Sequence, residues 1–172
     1  MQDINELENR LLLNTIDYFD GDVRRINHLI KVYTFAKTIG AGENLADKEY
    51  TPLVLAAIVH DCGIKVSEAK YNSSAGKYQE IEGPTVAKAL AEPLGLDRET
   101  VDRILFLVGH HHTYNMVDGA DYQILIEADF LVNAYEDNLD LSAIKAAERN
   151  FFKTRTGKEL LAKLYYSKQE EL

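Results

Sequence analysis

One cysteine in 172 residues, Cys62, leaves no partner for an intramolecular disulfide and fits a reducing compartment. No uninterrupted apolar run approaches the roughly 20 residues that span a bilayer. Met1 to Arg10 alternates acids and amides instead of building the apolar stretch of a secretory leader. Positive charge is short as well: 19 Lys and Arg against 28 Asp and Glu give a formal charge of -9, which disfavours a broad electrostatic surface for a nucleic-acid polymer. Repeats, low-complexity tracts and linkers are missing. These absences predict one soluble, cytoplasmic domain over residues 1–172, large enough to bury a core without covalent staples. An anionic small substrate remains compatible with the acidic balance, because a bound metal reverses the local field.

What is there reads as helix. Ile4, Leu7, Leu11, Leu12 and Ile16 recur at helical spacing, and Asp20-Gly21-Asp22 supplies a break and a cap. From Val23 to Ile39 the face carrying Val32, Phe35 and Ile39 also carries His28, four residues before Val32, so His28 points inward. Thr51-Pro52 predicts a helix start and Gly63 a stop, with Leu53, Ala56, Ala57 and His60 on one stripe. Glu68 to Gly83, rich in Ser, Gly, Tyr and Lys, reads as an irregular binding loop or lid, with the next helix opening at Pro84. Asp97 caps a helix whose stripe Val101, Ile104, Leu105 and Val108 continues to His111 and His112 but leaves His110 aside. Asp129 lies among Leu125, Ile126 and Val132, and terminal helices are expected over 142–152 and 156–166. The predicted architecture is a compact, all-α, single-domain bundle of about seven helices.

The ligand-type residues fall on these apolar faces. His60-Asp61 closes the run from Leu53 to Val59, and buried imidazole and carboxylate side by side are costly unless something compensates them, for which a cation is the usual agent. Taken singly, His28 reads as a core histidine, Asp129 as a paired buried carboxylate and the His110–His112 run as a solvated helix end; taken together with His60-Asp61 they make a metal site the leading hypothesis. Cys62 reads as a small buried residue and not as a nucleophile, because no dedicated base is legible beside it.

Residues His28, His60-Asp61 and Asp129, in that order on successive helices, resemble the HD superfamily of metal-dependent phosphohydrolases, an all-helical fold. The phrases Arg25-Ile26-Asn27-His28, His60-Asp61-Cys62-Gly63, Glu80-Ile81-Glu82-Gly83, Gly109-His110-His111-His112-Thr113 and Glu127-Ala128-Asp129 carry the resemblance across nearly the whole chain. It implies that His28, His60, Asp61 and Asp129 bind one divalent cation. Two imidazoles and two carboxylates suit manganese, iron, cobalt, nickel or zinc, with magnesium within range. Such an ion lowers the pKa of water and neutralises charge developing on a phosphoryl group. The implied activity is hydrolysis of a phosphate ester of a nucleotide or similar small metabolite, with Asp61 accepting a proton and His111 or His112 serving the phosphate or the leaving oxygen; Lys65 and Glu82 complete the expected catalytic set.

Two departures matter. Ile64 stands where many relatives have lysine or glutamate, with Lys65 one step later, and this keeps open a metal-containing nucleotide-binding or sensor domain with weak turnover. Gln79 stands where a second-metal histidine is often found, so one ion is expected in preference to two, with Glu80 and Glu82 as substitute ligands for a second. No membrane contact is expected, and the oligomeric state is open.

Overall fold

The computed structural model describes residues 3–166, and among them every regular element is helical. In order these are α1 Ile4–Phe19, α2 Val23–Gly42, α3 Asp47–Val59, α4 Ile64–Tyr71, α5 Gly76–Ala91, α6 Arg98–Val108, α7 Ala120–Glu136, α8 Leu141–Phe151 and α9 Arg155–Tyr165, with a 3-10 turn at Glu92–Leu94. Among the described residues no helix is long and apolar enough to cross a membrane.

Side-chain caps explain several starts. Asp3, Asp22, Asp97, Asp140 and Thr154 each accept from a backbone amide in the first turn of α1, α2, α6, α8 and α9. The chain turns between α1 and α2 through Asp20 and Gly21, at φ of 48° and 80°.

α3 is the axis of the domain. Every residue from Pro52 to Val59 is buried, as expected for a helix apolar on all sides, and α1, α2, α6 and α7 pack around it. It begins at Asp47, not at Thr51-Pro52. Asp47 and Glu49 in the first turn suit the positive helix end, and the Lys48 carbonyl that Pro52 leaves without an amide partner belongs to an exposed residue, within reach of water.

The stretch Glu68 to Gly83 is a helical hairpin instead of an irregular loop. α4 closes at Asn72, in the left-handed conformation, and α5 opens at Gly76 and runs through Pro84 to Ala91. The buried positions of α5 are Gln79, Gly83, Ala87 and Ala91, a four-residue spacing of small or polar side chains that an apolar periodicity misses. Packing against α6 and α4 holds a segment whose local propensity is weak.

That packing brings α5 to the turn after α3. A Cβ on Gly63 would lie 2.7 Å from the Gln79 carbonyl oxygen and 2.7 Å from the Gly83 nitrogen, so backbone meets backbone there and only glycine fits. Two residues before Asp129, Glu127, fully buried on α7, accepts from Gln123 Nε2 at 2.7 Å, from the Lys153 amide at 2.6 Å, from the Thr154 amide at 3.0 Å and from the Thr154 hydroxyl. This carboxylate fixes the connection between α8 and α9 and leaves α7 rigid where Asp129 projects.

Candidate metal centre

Four elements deliver the candidate ligands. α2 presents His28 from the face that also buries Val32, Ala36 and Ile39. The turn His60–Gly63 between α3 and α4 presents His60 and Asp61, the turn after α6 presents His111, and α7 presents Asp129.

Their inner atoms converge. His28 Nε2 lies 3.2 Å from His60 Nε2, 3.2 Å from Asp129 Oδ1 and 3.4 Å from Asp61 Oδ2, while His60 Nε2 lies 3.5 Å from Asp129 Oδ1 and 3.6 Å from Asp61 Oδ2. His111 Nε2 is 3.3 Å from Asp61 Oδ1. His60, His111 and Asp129 are essentially inaccessible, and only Asp61, with a fifth of its side chain exposed, reaches the solvent side.

The outer ring nitrogens fix the tautomers. His60 Nδ1 is 2.8 Å from the Ala57 carbonyl oxygen and His111 Nδ1 is 2.8 Å from that of Val108. A carbonyl only accepts, so each Nδ1 carries the proton and each Nε2 presents a lone pair inward. His28 Nδ1 faces Glu136 Oε2 at 2.9 Å, and Glu136 is itself held by Lys31 Nζ. Glu136 thus orients His28 as a carboxylate behind a metal-binding imidazole does. With the rings neutral, the lone pairs of two imidazoles and two carboxylates converge on one point, the donor set that a cation takes, and Asp129 Oδ1 is buried without a protein hydrogen-bond donor aligned to it. A cation satisfies this set: ligands about 2.1 Å from one ion at right angles are about 3 Å apart, close to the separations found here.

The electrostatics agree. Burial works against a charge on His28, but close contact with Asp129 and the Asp61 and Asp129 charges override it and push its pKa up to about 9, so the cluster attracts positive charge and a cation displaces a proton there. Burial would raise Asp61 and Asp129; the facing histidines instead hold both well below the usual carboxylate range. His112 goes the other way, down to about 4, through burial and its neighbour His111.

The remaining candidates separate. His112 lies against His111 with ring centroids 4.0 Å apart, and its Nε2 is buried without a partner. Asp61, His111 and His112 form a second group whose ligand atoms lie within 4.8 Å of one another, beside the group of His28, His60 and Asp61. His110 turns away, bonding the Phe106 carbonyl through Nδ1 and stacking on the Phe106 ring. Lys65 is not brought to the cluster: its ammonium donates to the Tyr18 carbonyl at 2.7 Å and sits over the Tyr18 ring. Glu82 is not brought there either, since helical phasing turns it outward to accept from Lys70 Nζ and the Tyr71 hydroxyl, both at 2.7 Å. Glu80 accepts from the His112 amide at 3.0 Å and the Thr113 hydroxyl at 2.9 Å, so it braces the histidine turn where a substitute ligand was expected. Cys62 is buried, donates to the Gly83 carbonyl, and burial and the Asp61 charge push its thiol pKa far up, against a thiolate nucleophile.

The family model of the HD domain matches residues 25–148, the greater part of the chain. The chain belongs to the HD-domain family. No curated protein and no solved structure matched it. The matched span of the HD domain runs from the residue after Arg24 on α2 into α8, and so contains every residue of the cluster.

A cavity of about 700 Å³ opens over the cluster of this HD domain, within the range of small-molecule sites. His28, Asp61, His112 and Asp129 reach it, together with residues the sequence did not single out, among them Arg24, Asn133 and Glu136. A signal existed for these: Arg24 precedes His28 by four residues, and Asn133 and Glu136 follow Asp129 by four and seven, so each shares a helical face with a candidate ligand.

Proposed function

We propose that this HD domain is a metal-dependent phosphohydrolase that cleaves the phosphate ester of a nucleotide or similar small phosphorylated metabolite, with water as the nucleophile. The observation that carries this reading is the convergence of two proton-locked imidazoles, His28 and His60, with Asp61 and Asp129 on the floor of a ligand-sized cavity. One divalent transition ion would be the cofactor, held by His28, His60, Asp61 and Asp129, and it would supply Lewis acidity toward water and phosphate.

The chain's own groups do the rest. Asp61 is the ligand that reaches the solvent side, and its second oxygen takes the proton of the attacking water. His112, neutral at pH 7, offers its unpartnered Nε2 to a phosphate oxygen, and His111 in its protonated form, favoured by the Asp61 charge, donates from Nε2 to Asp61 Oδ1 and holds it in place. Water oxygen bonds to phosphorus as Asp61 takes its proton, the ester P–O bond breaks, and the leaving alkoxide takes that proton back from Asp61 and departs as the alcohol, with inorganic phosphate as the other product. The grouping of Asp61, His111 and His112 favours a second reading, in which another ion would share Asp61 and take His111 and His112 as ligands in place of those hydrogen-bonding roles.

The test is elemental analysis of protein purified without an affinity tag or added metal, followed by a screen of nucleotides and sugar phosphates with manganese, cobalt, nickel, zinc and magnesium supplied separately to chelated protein. Saturable turnover restored by a metal supports the hydrolase, and bound metal with saturable binding but no turnover supports a sensor. His60→Ala and Asp61→Ala should lose metal and turnover together while Cys62→Ala keeps both. Turnover undiminished in chelator, or a phosphoryl group captured on Cys62, overturns the proposal.

A further inference from the structure

The cavity wall bears on which phosphate ester fits, an inference that rests on the hydrolase reading above. Among the described residues lining the cavity, Ile64 is the one apolar side chain and no Phe, Tyr or Trp is present. The nearby tyrosines are engaged elsewhere: Tyr71 and Tyr78 stack on each other at 4.2 Å and 11°, and Tyr114 packs on Phe151. The His112 ring is covered too, lying against His111 on one side and so close to Gly76 that a Cβ there would meet its Cγ at 2.6 Å. A nucleobase would find neither an aromatic stacking face nor an apolar slot.

What the wall offers is hydrogen-bond acceptors. Gln79 is 6% exposed, and its Nε2 donates to the Ser74 carbonyl at 2.8 Å, which fixes the amide orientation. Its Oε1 is then left buried and unpartnered on a residue that lines the cavity. An orphaned buried acceptor is costly and calls for a donor from the ligand. Asp22, Glu68 and Asp137 add carboxylates, which also only accept. Arg24 lines the mouth, exposed and without an ion-pair partner among the described residues, while Arg25 is taken up by Asp22 and Glu68. We infer that the substrate is a hydroxyl-rich phosphate monoester without a base, a sugar or polyol phosphate, with Gln79 Oε1 accepting from one of its hydroxyls and Arg24 drawing in the phosphate.

The experiment compares the metal-loaded protein on ribose 5-phosphate, hexose phosphates and glycerol phosphate with AMP, GMP, CMP and UMP, and with p-nitrophenyl phosphate as a substrate lacking hydroxyls. Ribose 5-phosphate or a hexose phosphate should exceed every nucleotide in kcat/KM by about tenfold or more, and Gln79→Leu should raise its KM by about tenfold while leaving KM for p-nitrophenyl phosphate and the bound metal unchanged. Calorimetry with nonhydrolysable phosphonate analogues of ribose 5-phosphate and AMP should give the same ranking. A nucleotide preferred over ribose 5-phosphate, or an equal rise in both KM values on Gln79→Leu, overturns this inference and leaves the hydrolase standing. Absence of turnover on every phosphate with every metal overturns both.

Discussion

His28 Nε2 and His60 Nε2 face each other at 3.2 Å, each ring held from behind, His28 by Glu136 and His60 by the Ala57 carbonyl. In the neutral, metal-binding form the two rings turn lone pairs on each other, and the packing of α2 against α3 holds them there. The packing of the helices therefore prepares the centre, and the ion completes it.

The carboxylate behind His28 should matter nearly as much as a ligand. Glu136→Ala removes the acceptor that fixes the His28 tautomer, and metal affinity should fall by about 10- to 100-fold, as measured by competition with a chromogenic chelator. Glu136→Gln, which keeps an acceptor, should lose less.

The two glutamates of α5 should behave oppositely. Glu80→Ala frees the His112 amide and the Thr113 hydroxyl, and turnover should drop by about tenfold or more with the metal retained, whereas Glu80→Gln should recover most of the rate. Glu82→Gln and Lys65→Met should leave kcat within about twofold of the parent, since neither side chain reaches the cavity.

Gly63→Ala should destabilise the domain by about 1–3 kcal/mol in denaturant unfolding, because the new methyl group meets α5 backbone and not the end of a flexible side chain. Metal affinity should weaken with it, as the same turn carries His60 and Asp61.

The start of α6 should respond to acid. The Thr100 amide and hydroxyl hold the Asp97 carboxyl below its ordinary value of 3.8, so its stabilising effect is fully present above that value and is lost as pH falls through the lower folded one. Asp97→Ala should lower Tm at pH 7, and the gap from the parent should narrow as the solution is acidified below the ordinary carboxyl value of 3.8.

Much of this protein was legible in its sequence. The apolar run Leu53 to Val59, closed by His60-Asp61, fixed a central helix ending in ligand-type residues, and His28 four residues before Val32 could only point inward, because a 3.6-residue period leaves no other face. Asp97 and Asp22 announced their caps through the hydrogen bonds that short carboxylates make with free amides. The tertiary structure decided what local pattern could not. α5 is helical through Gly76, Gly83 and Pro84 because a stripe of small residues lets it lie against the Gly63 turn, and close approach is a property of two segments, invisible in either one. The roles of Glu80 and Glu82 followed from the phase of that helix, which turns one carboxylate to the histidine turn and the other to Lys70. Lys65, one residue beyond Ile64, was carried to the end of α1 by the same geometry. Residue types set which chemistry is available, but the directions of side chains on packed helices decide which of them meet.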